Sequence, residues 1–561
     1  MPTRGRNRIA GLAICCLVPL AAAASGRSAT AEAPPSPREV LRAQAVETLA
    51  GGEPSLACLT PLLQTLRQDP SRAPAATRKA FFQLQSELTL PGDRRFVGRD
   101  GTVVRDPFEG ASGRPFPQGD VGEETEAIDA VLLGIADARK LLGEEIGLPA
   151  PAPLEVVLER LGPGLDGYLL PTLRRDGRAI AVLDATPGKD LPALRRAAAH
   201  QYAHAVALAA GPELTPAFGE ALAAWTSLRL AGGPDAAAAV TLSARLGRLG
   251  EGLAVDDPRL AAGNAAFLAF LDEAYGPTAV GLAVQELATG APVPLALDRA
   301  MRRGAGTTLA DAFRSYQIWC HFVGERSDGL HFSFADRLAA PPIPMRFDGL
   351  PALSVLEEPP VGPLGAASIL LHPDREDGGM IVRVEGDPSG SWEADLLLFD
   401  DARRARRVPI ALASDGTGET TVPLQSVSEA VLFVRNLGAE DGAPLRYSWS
   451  AFLDRAFPFE VGTAGARRIP GGGVLVSWET LSERSLVGFR VLRREETAAG
   501  WSRVSPVWIP PMGDGATPAS YGFIDATAPE DAPLLYRIEG VTSDGLSGFS
   551  DPFAIAAQER P

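Results

Sequence analysis

The sequence predicts a multidomain α+β protein in which a mixed, helix-rich domain is followed by two antiparallel β-sandwich domains. Three observations carry that expectation. A chain of 561 residues is longer than one hydrophobic core organises. Apolar residues recur at helical spacing in most segments up to Phe322. From Ser354 onward, short runs of alternating apolar and polar residues are separated by turn residues, and this pattern restarts after Gly471. Hydrophobic residues at 45% and charged residues at 22% exclude wholesale disorder, while 59 glycines and 49 prolines suit loops and β-modules.

The first 31 residues have the order of a secretory signal peptide. Arg4, Arg6 and Arg8 precede the uncharged apolar run Ile9–Ala24, and Ala29-Thr30-Ala31 offers a small-residue cleavage site. The expected location is therefore periplasmic or extracellular. The apolar run is short for a membrane span, and no later stretch reaches 18 apolar residues without a charge, so no span is expected in the mature chain. Removing residues 1–31 removes Arg4, Arg6, Arg8 and Arg27 and no acid, so the charge of −16 becomes −20. That field repels phosphate backbones and argues against a nucleic-acid partner; a peptide or protein ligand is compatible with it. Two cysteines remain, Cys58 and Cys320, and an oxidising compartment would allow them to pair.

Helical spacing at Val46, Leu49, Leu56, Leu62, Leu63 and Leu66 makes 32–110 a helical lead-in segment, with Pro91–Gly122 loop-rich. A domain at 111–345 follows. It opens on a helix over Glu123–Ile146, with Ile128, Val131, Leu132, Ile135 and Leu142 on one face. Leu154–Leu158, Gly167–Leu170 and Ala179–Leu183 read as short strands. Asp190 can cap a helix that Gly211-Pro212 stops; Pro216 opens the next, which Gly232-Gly233-Pro234 ends. Further helices are expected at Asp235–Leu249, Asn264–Tyr275, Ala279–Ala288 and Leu309–Phe322. The β domains are expected at 350–458 and 463–558.

The informative stretch is Ala199-His200-Gln201-Tyr202-Ala203-His204. Histidines at i and i+4 project from one helix face, so both imidazoles can reach one tetrahedral metal. Glu220 lies sixteen residues after His204. A rise of about 1.5 Å per residue carries the first helix ~9 Å past His204 and the second ~6 Å to Glu220, so an antiparallel pair sets them level. His200, His204 and Glu220, with an open fourth position, form the ligand set of a catalytic zinc.

At these residues the chain resembles the gluzincin metallopeptidases, whose His-Glu-x-x-His helix is followed by a Glu on the next helix. Ala223 and Trp225 fit the setting of that second Glu, and Ala221 stands for a frequent Gly. Closer still, it resembles secreted bacterial metalloproteases of modular build, over roughly Glu123 to Phe457, with Gly167-Tyr168 before the zinc helix and Tyr275-Gly276 after it. The resemblance implies a zincin-like peptidase domain holding zinc through His200, His204 and Glu220. It departs at one position: Gln201 stands where the family has its general base, the Glu that takes the proton from the attacking water. An amide cannot accept that proton, and losing a general base costs about 10²- to 10⁴-fold in rate.

Three readings stay open: a metal-retaining protein without hydrolytic activity, a residual hydrolase, and a decayed scaffold whose helix pair survives as core. The alternative function is a non-catalytic extracellular binding protein that uses its β-modules. No Gly-x-Ser-x-Gly elbow, phosphate-cradling loop or Cys-x-x-Cys pair competes. Tyr275, Tyr316 and His321 are candidates for the family's transition-state stabiliser. The final module, through Val474-Leu475-Val476-Ser477-Trp478 and Tyr536-Arg537-Ile538, resembles a fibronectin type III domain.

Overall fold

The computed structural model describes residues 58–555, apart from 88–93, 107–120 and stretches of four residues or fewer. Residues 1–31, expected as a signal peptide, and the start of the expected lead-in, with Val46, Leu49 and Leu56, lie outside the described residues. The described chain is mixed α+β, helical in its first half and rich in antiparallel sheet towards its C-terminus. Among the described residues, no helix is long and apolar enough to cross a membrane.

Two helices come first, α1 (Thr60–Gln68) and α2 (Ala75–Glu87). A five-stranded sheet follows, built from β1 (Arg94–Val97), β2 (Val103–Asp106), β3 (Leu154–Glu159), β4 (Gly167–Leu169) and β5 (Ala179–Asp184), in the order β1-β2-β3-β5-β4. Strands β2, β3 and β5 run parallel, and β1 and β4 are antiparallel edges. Strands β1 and β2 fall where the sequence suggests loop; four-residue strands between glycines are too short to display alternation.

The two-residue period of β5 sorts its side chains onto two cores. Ile180 and Val182 face Leu63, Leu66, Phe81 and Leu84 of the lead-in helices, joined by Tyr168. Ala179, Ala181 and Leu183 face the large helical core. That core is built on α3 (Val121–Arg139, continuing as a π-turn over Lys140–Glu145) and α4 (Leu191–Ala210). Gly134 lets α3 and α4 approach, since a Cβ there would run into the Arg195 carbonyl oxygen. Next come α5 (Pro216–Ala231), α6 (Ala236–Leu246), α7 (Ala265–Tyr275), α8 (Pro277–Leu287), α9 (Val293–Gly304) and α10 (Leu309–His321). Helix α9 was not among the expected helices. Pro292 and Pro294 sit at its N-cap and first turn, where proline loses no helical hydrogen bond.

The β-rich part starts with strands β6 (Met345–Asp348), β7 (Ala352–Leu353), β8 (Gly365–His372), β9 (Gly379–Gly386), β10 (Gly390–Phe399), β11 (Ala405–Ile410), β12 (Thr417–Pro423), β13 (Glu429–Ala439) and β14 (Tyr447–Asp454). They form two sheets, β11-β10-β13-β8-β6 and β12-β9-β14-β7, antiparallel but for the β6–β8 pair. Ile369, Leu396 and Leu432 of the first sheet and Val382, Val384 and Trp449 of the second share one core. The last strands, from β15 (Phe459–Arg468) and β16 (Val474–Glu483) through β17 (Leu486–Glu495), β18 (Ser502–Arg503), β19 (Ala519–Asp525) and β20 (Leu534–Thr542), form two further sheets. Their core holds Phe459, Trp478, Phe489, Tyr521 and Tyr536. The helical part meets the first β unit through Arg314, which donates to both oxygens of Glu393.

Cys58 and Cys320 are both free thiols. The disulfide allowed by the sequence does not form: Cys58 lies against the two histidines of α4, whereas Cys320 is buried on α10.

Candidate metal centre

Helices α4 and α5 place the ligands. Helix α4 begins at Asp190, which has extended cap geometry but no side-chain capping bond, so the expected Asp190 cap is one of backbone shape only. Helix α5 is capped by Thr215, whose hydroxyl accepts from the Phe218 N–H, and it ends on Gly232 at φ 68°, a left-handed conformation suited to glycine. Between the helices, Ala203, Ala207, Ala221 and Ala223 are buried, and their small side chains let the backbones approach closely. His200 and His204 sit one turn apart on α4, and Glu220 sits opposite on α5.

His204 is fully buried, and its Nε2 is the focus of the site. It lies 3.0 Å from Glu220 Oε2, 3.2 Å from His200 Nε2 and 3.4 Å from Cys58 Sγ. His200 Nε2 is 3.4 Å from Glu220 Oε1. The donor atoms of all four residues lie within 4.8 Å of one another. One ring nitrogen carries at most one proton and cannot satisfy three partners at once. Bond lengths of about 2.0–2.3 Å put the donors of a tetrahedral zinc site ~3.3–3.7 Å apart, and most of the measured separations fall at or just below that range. The group therefore fits a single metal ion.

Cys58 was not among the expected ligands, and its Sγ lies beside the three expected donors. It reaches the site from the lead-in segment, two residues before α1. There it forms a parallel bridge to Gly167, with Leu59 N donating to Gly167 O at 3.3 Å along the free edge of β4. No spacing rule links a cysteine to a histidine 146 residues away. The one available signal was that Cys58 is among only four cysteines, two of them in the leader-like run.

The charges of the four groups depend on one another. Burial and the Glu220 carboxylate push the Cys58 thiol up, but the His204 and His200 imidazoles outweigh them and bring it down to about 6. Burial also opposes the Glu220 carboxylate, and the two imidazoles, His200 foremost, bring it down to about 2. Burial disfavours both imidazolium ions, yet Glu220 and Cys58 raise both histidines above their ordinary value, His200 the further. Two anionic donors thus call for about two positive charges, which protons on the imidazoles or one divalent cation can supply.

Gln201 is buried beside these ligands. Its Nε2 donates to Cys58 Sγ at 3.3 Å, and its Oε1 accepts from Thr60 Oγ1 at 3.2 Å. Behind His200, Ser227 Oγ stands 3.5 Å from Nδ1. His204 Nδ1 is buried and has no hydrogen-bond partner among the described residues. A cleft of about 190 Å³ opens onto His200, Gln201 and Glu220, walled by Ala193, Ala197, Ala224, Leu228 and Ala238. Tyr275, Tyr316 and His321 do not line this cleft. Tyr316 packs in the aromatic core against Phe267 and Phe270, Tyr275 lies edge-on to Phe270, and His321 packs against Phe399.

No family model matches the chain, and no curated protein matches it. Among solved structures, the N-terminal CBM22-1–CBM22-2 tandem domain of Paenibacillus barcinonensis Xyn10C is matched over 37% of this chain and 92% of its own length. The identity is 9% and the TM-score 0.13, too weak to assign a fold or an activity.

Proposed function

We propose that this chain is an exported zinc-holding protein built on a metallopeptidase-like scaffold and lacking peptidase activity. The observation that carries the reading is the convergence of Cys58, His200, His204 and Glu220, with all four donor atoms within 4.8 Å. A sulfur, two imidazole nitrogens and a carboxylate are donors that zinc accepts. A bound ion would replace the imidazole protons and balance the thiolate and carboxylate.

Two features speak against hydrolysis. Gln201 cannot take a proton from an attacking water. With Cys58 in the fourth position, which catalytic zinc sites leave free for substrate, the shell would be closed by four protein ligands, as in structural sites. The proposed scaffold is a zincin-like domain, then two β-sandwich modules, the last fibronectin type III-like. The packing of Trp478 edge-on to Phe489 of the facing sheet, at 5.9 Å between ring centroids, supports the last of these. Export rests on the order of charged, apolar and small residues in 1–31.

Elemental analysis of the purified full chain tests the proposal, with about one zinc per chain expected and no peptide cleavage above background. A protein that stays metal-free after incubation with zinc would overturn it. So would brisk cleavage that a chelator abolishes.

A further inference from the structure

The exchange of an amide for the expected carboxylate at position 201 is more than the loss of a base. We infer that Gln201 is the positioning residue of a metal–thiolate unit, its amide holding Cys58 in place as the fourth ligand. The inference rests on the zinc-holding reading above and deepens it.

The Leu169 N–H, on the edge strand β4, donates to Thr60 Oγ1 at 2.8 Å. With one lone pair taken, the Thr60 hydroxyl points its proton at Gln201 Oε1, 3.2 Å away. That fixes the oxygen end of the amide towards Thr60 and turns the NH₂ end towards Cys58 Sγ, 3.3 Å away. The Thr60 backbone N–H also approaches this sulfur, at 3.4 Å. In the free thiol, the sulfur proton can go to Thr60 Oγ1 at 3.1 Å. A metal ligand must lose that proton, and the resulting thiolate then accepts from two N–H donors. Outer donors of this kind orient a ligand and stabilise its charge.

A glutamate at 201 would turn a carboxylate oxygen towards the sulfur, placing two anions side by side in a buried pocket. The amide that cannot act as a base is thus the group compatible with a thiolate ligand, and the two departures from an open hydrolytic site are one arrangement. Gln201 is itself buried, so this donor has no water to replace it.

The test uses the full chain loaded with cobalt(II) as a spectroscopic substitute for zinc, together with zinc affinity measured by competition with a chelating dye. Wild type is expected to show a sulfur-to-cobalt charge-transfer band. Cys58→Ser should lose the band while His200, His204 and Glu220 still hold the metal. Gln201→Glu and Gln201→Met should weaken zinc binding about 10- to 100-fold, the range for loss of an outer-shell partner, and shift or weaken the band. Thr60→Val should act in the same direction by releasing the amide. Metal-free melting curves identify any variant that fails to fold, and Gln201→Met keeps the test alive if Gln201→Glu does so. If wild type binds metal and shows the band, while both Gln201 variants match it in affinity and spectrum, the positioning role is overturned and the four-ligand site stands. A wild type that binds no metal, or shows no band, overturns the site itself and the inference with it.

Discussion

His204 and Glu220 stand sixteen residues apart in the chain, yet Nε2 of one lies 3.0 Å from Oε2 of the other across two helices. The short turn at Gly211–Thr215 reverses the chain, and the alanine faces of α4 and α5 close the gap. This pair is the pivot of the site, since the same nitrogen also meets His200 and Cys58.

Removing His204 should therefore remove the metal. His204→Ala is expected to contain no zinc by elemental analysis, and a chelator should lower the melting temperature of wild type but not of the variant. Ligand linkage sets the scale, about 2.7 kcal/mol at a free metal concentration one hundred times Kd. A chelator response that survives in His204→Ala would place the metal elsewhere.

His321 gives the acid limb of stability a definite sign. Burial foremost, then the Arg326 and Arg403 charges, hold it down from 6.5 to about 3. Between those values the unfolded chain binds the proton and the folded chain does not, so stability falls as pH drops through this window. One proton corresponds to ~1.4 kcal/mol per pH unit. In urea titrations from pH 6.5 to 4, His321→Leu should show a shallower loss than wild type. Parallel curves would show that His321 does not titrate in this way.

In the first β unit, Arg435 is wholly buried and donates through Nη2 to Asp395 Oδ1 at 2.9 Å. Arg407 approaches the other oxygen, Oδ2, at 3.5 Å. Asp395→Ala leaves a guanidinium in the core without its partner. The expected loss is about 3–5 kcal/mol, read as a lowered melting transition. The double variant Asp395→Leu/Arg435→Met should recover much of it, because replacing a buried pair with apolar groups is often neutral.

Phe459 opens β15 and packs edge-on to Phe489, with ring centroids 5.2 Å apart in the core that also holds Trp478. A C-terminal fragment starting at residue 455 should melt cooperatively. One starting at Thr463 lacks Phe459 and should be less stable by about 3–5 kcal/mol, the scale for removing a buried Phe. Equal melting temperatures for the two would count against this role.

The sequence exposed those parts of the site that local rules govern. The i, i+4 spacing of His200 and His204 and the helix punctuation around Gly211 and Pro216 sufficed to bring Glu220 level with them. Glycine and proline likewise marked most helix ends. Cys58 stayed hidden because its approach is tertiary, set by a single bridge at the edge of β4. Strand β1 was missed for want of length, and α9, covered by no expected helix, opens on Pro292 and Pro294, residues suited to a helix start.

The bridge that carries Cys58 to Gly167 has a consequence for the unfolded chain. Coordination of one ion by Cys58 and His204 would close a covalently unbroken loop of 146 residues, a crosslink in all but name. Loops of that size remove denatured-state entropy worth about 5 kcal/mol in the chain-entropy picture. The chain would thus obtain from zinc the tether that its two separated cysteines cannot form, one that survives reductants and yields to chelators.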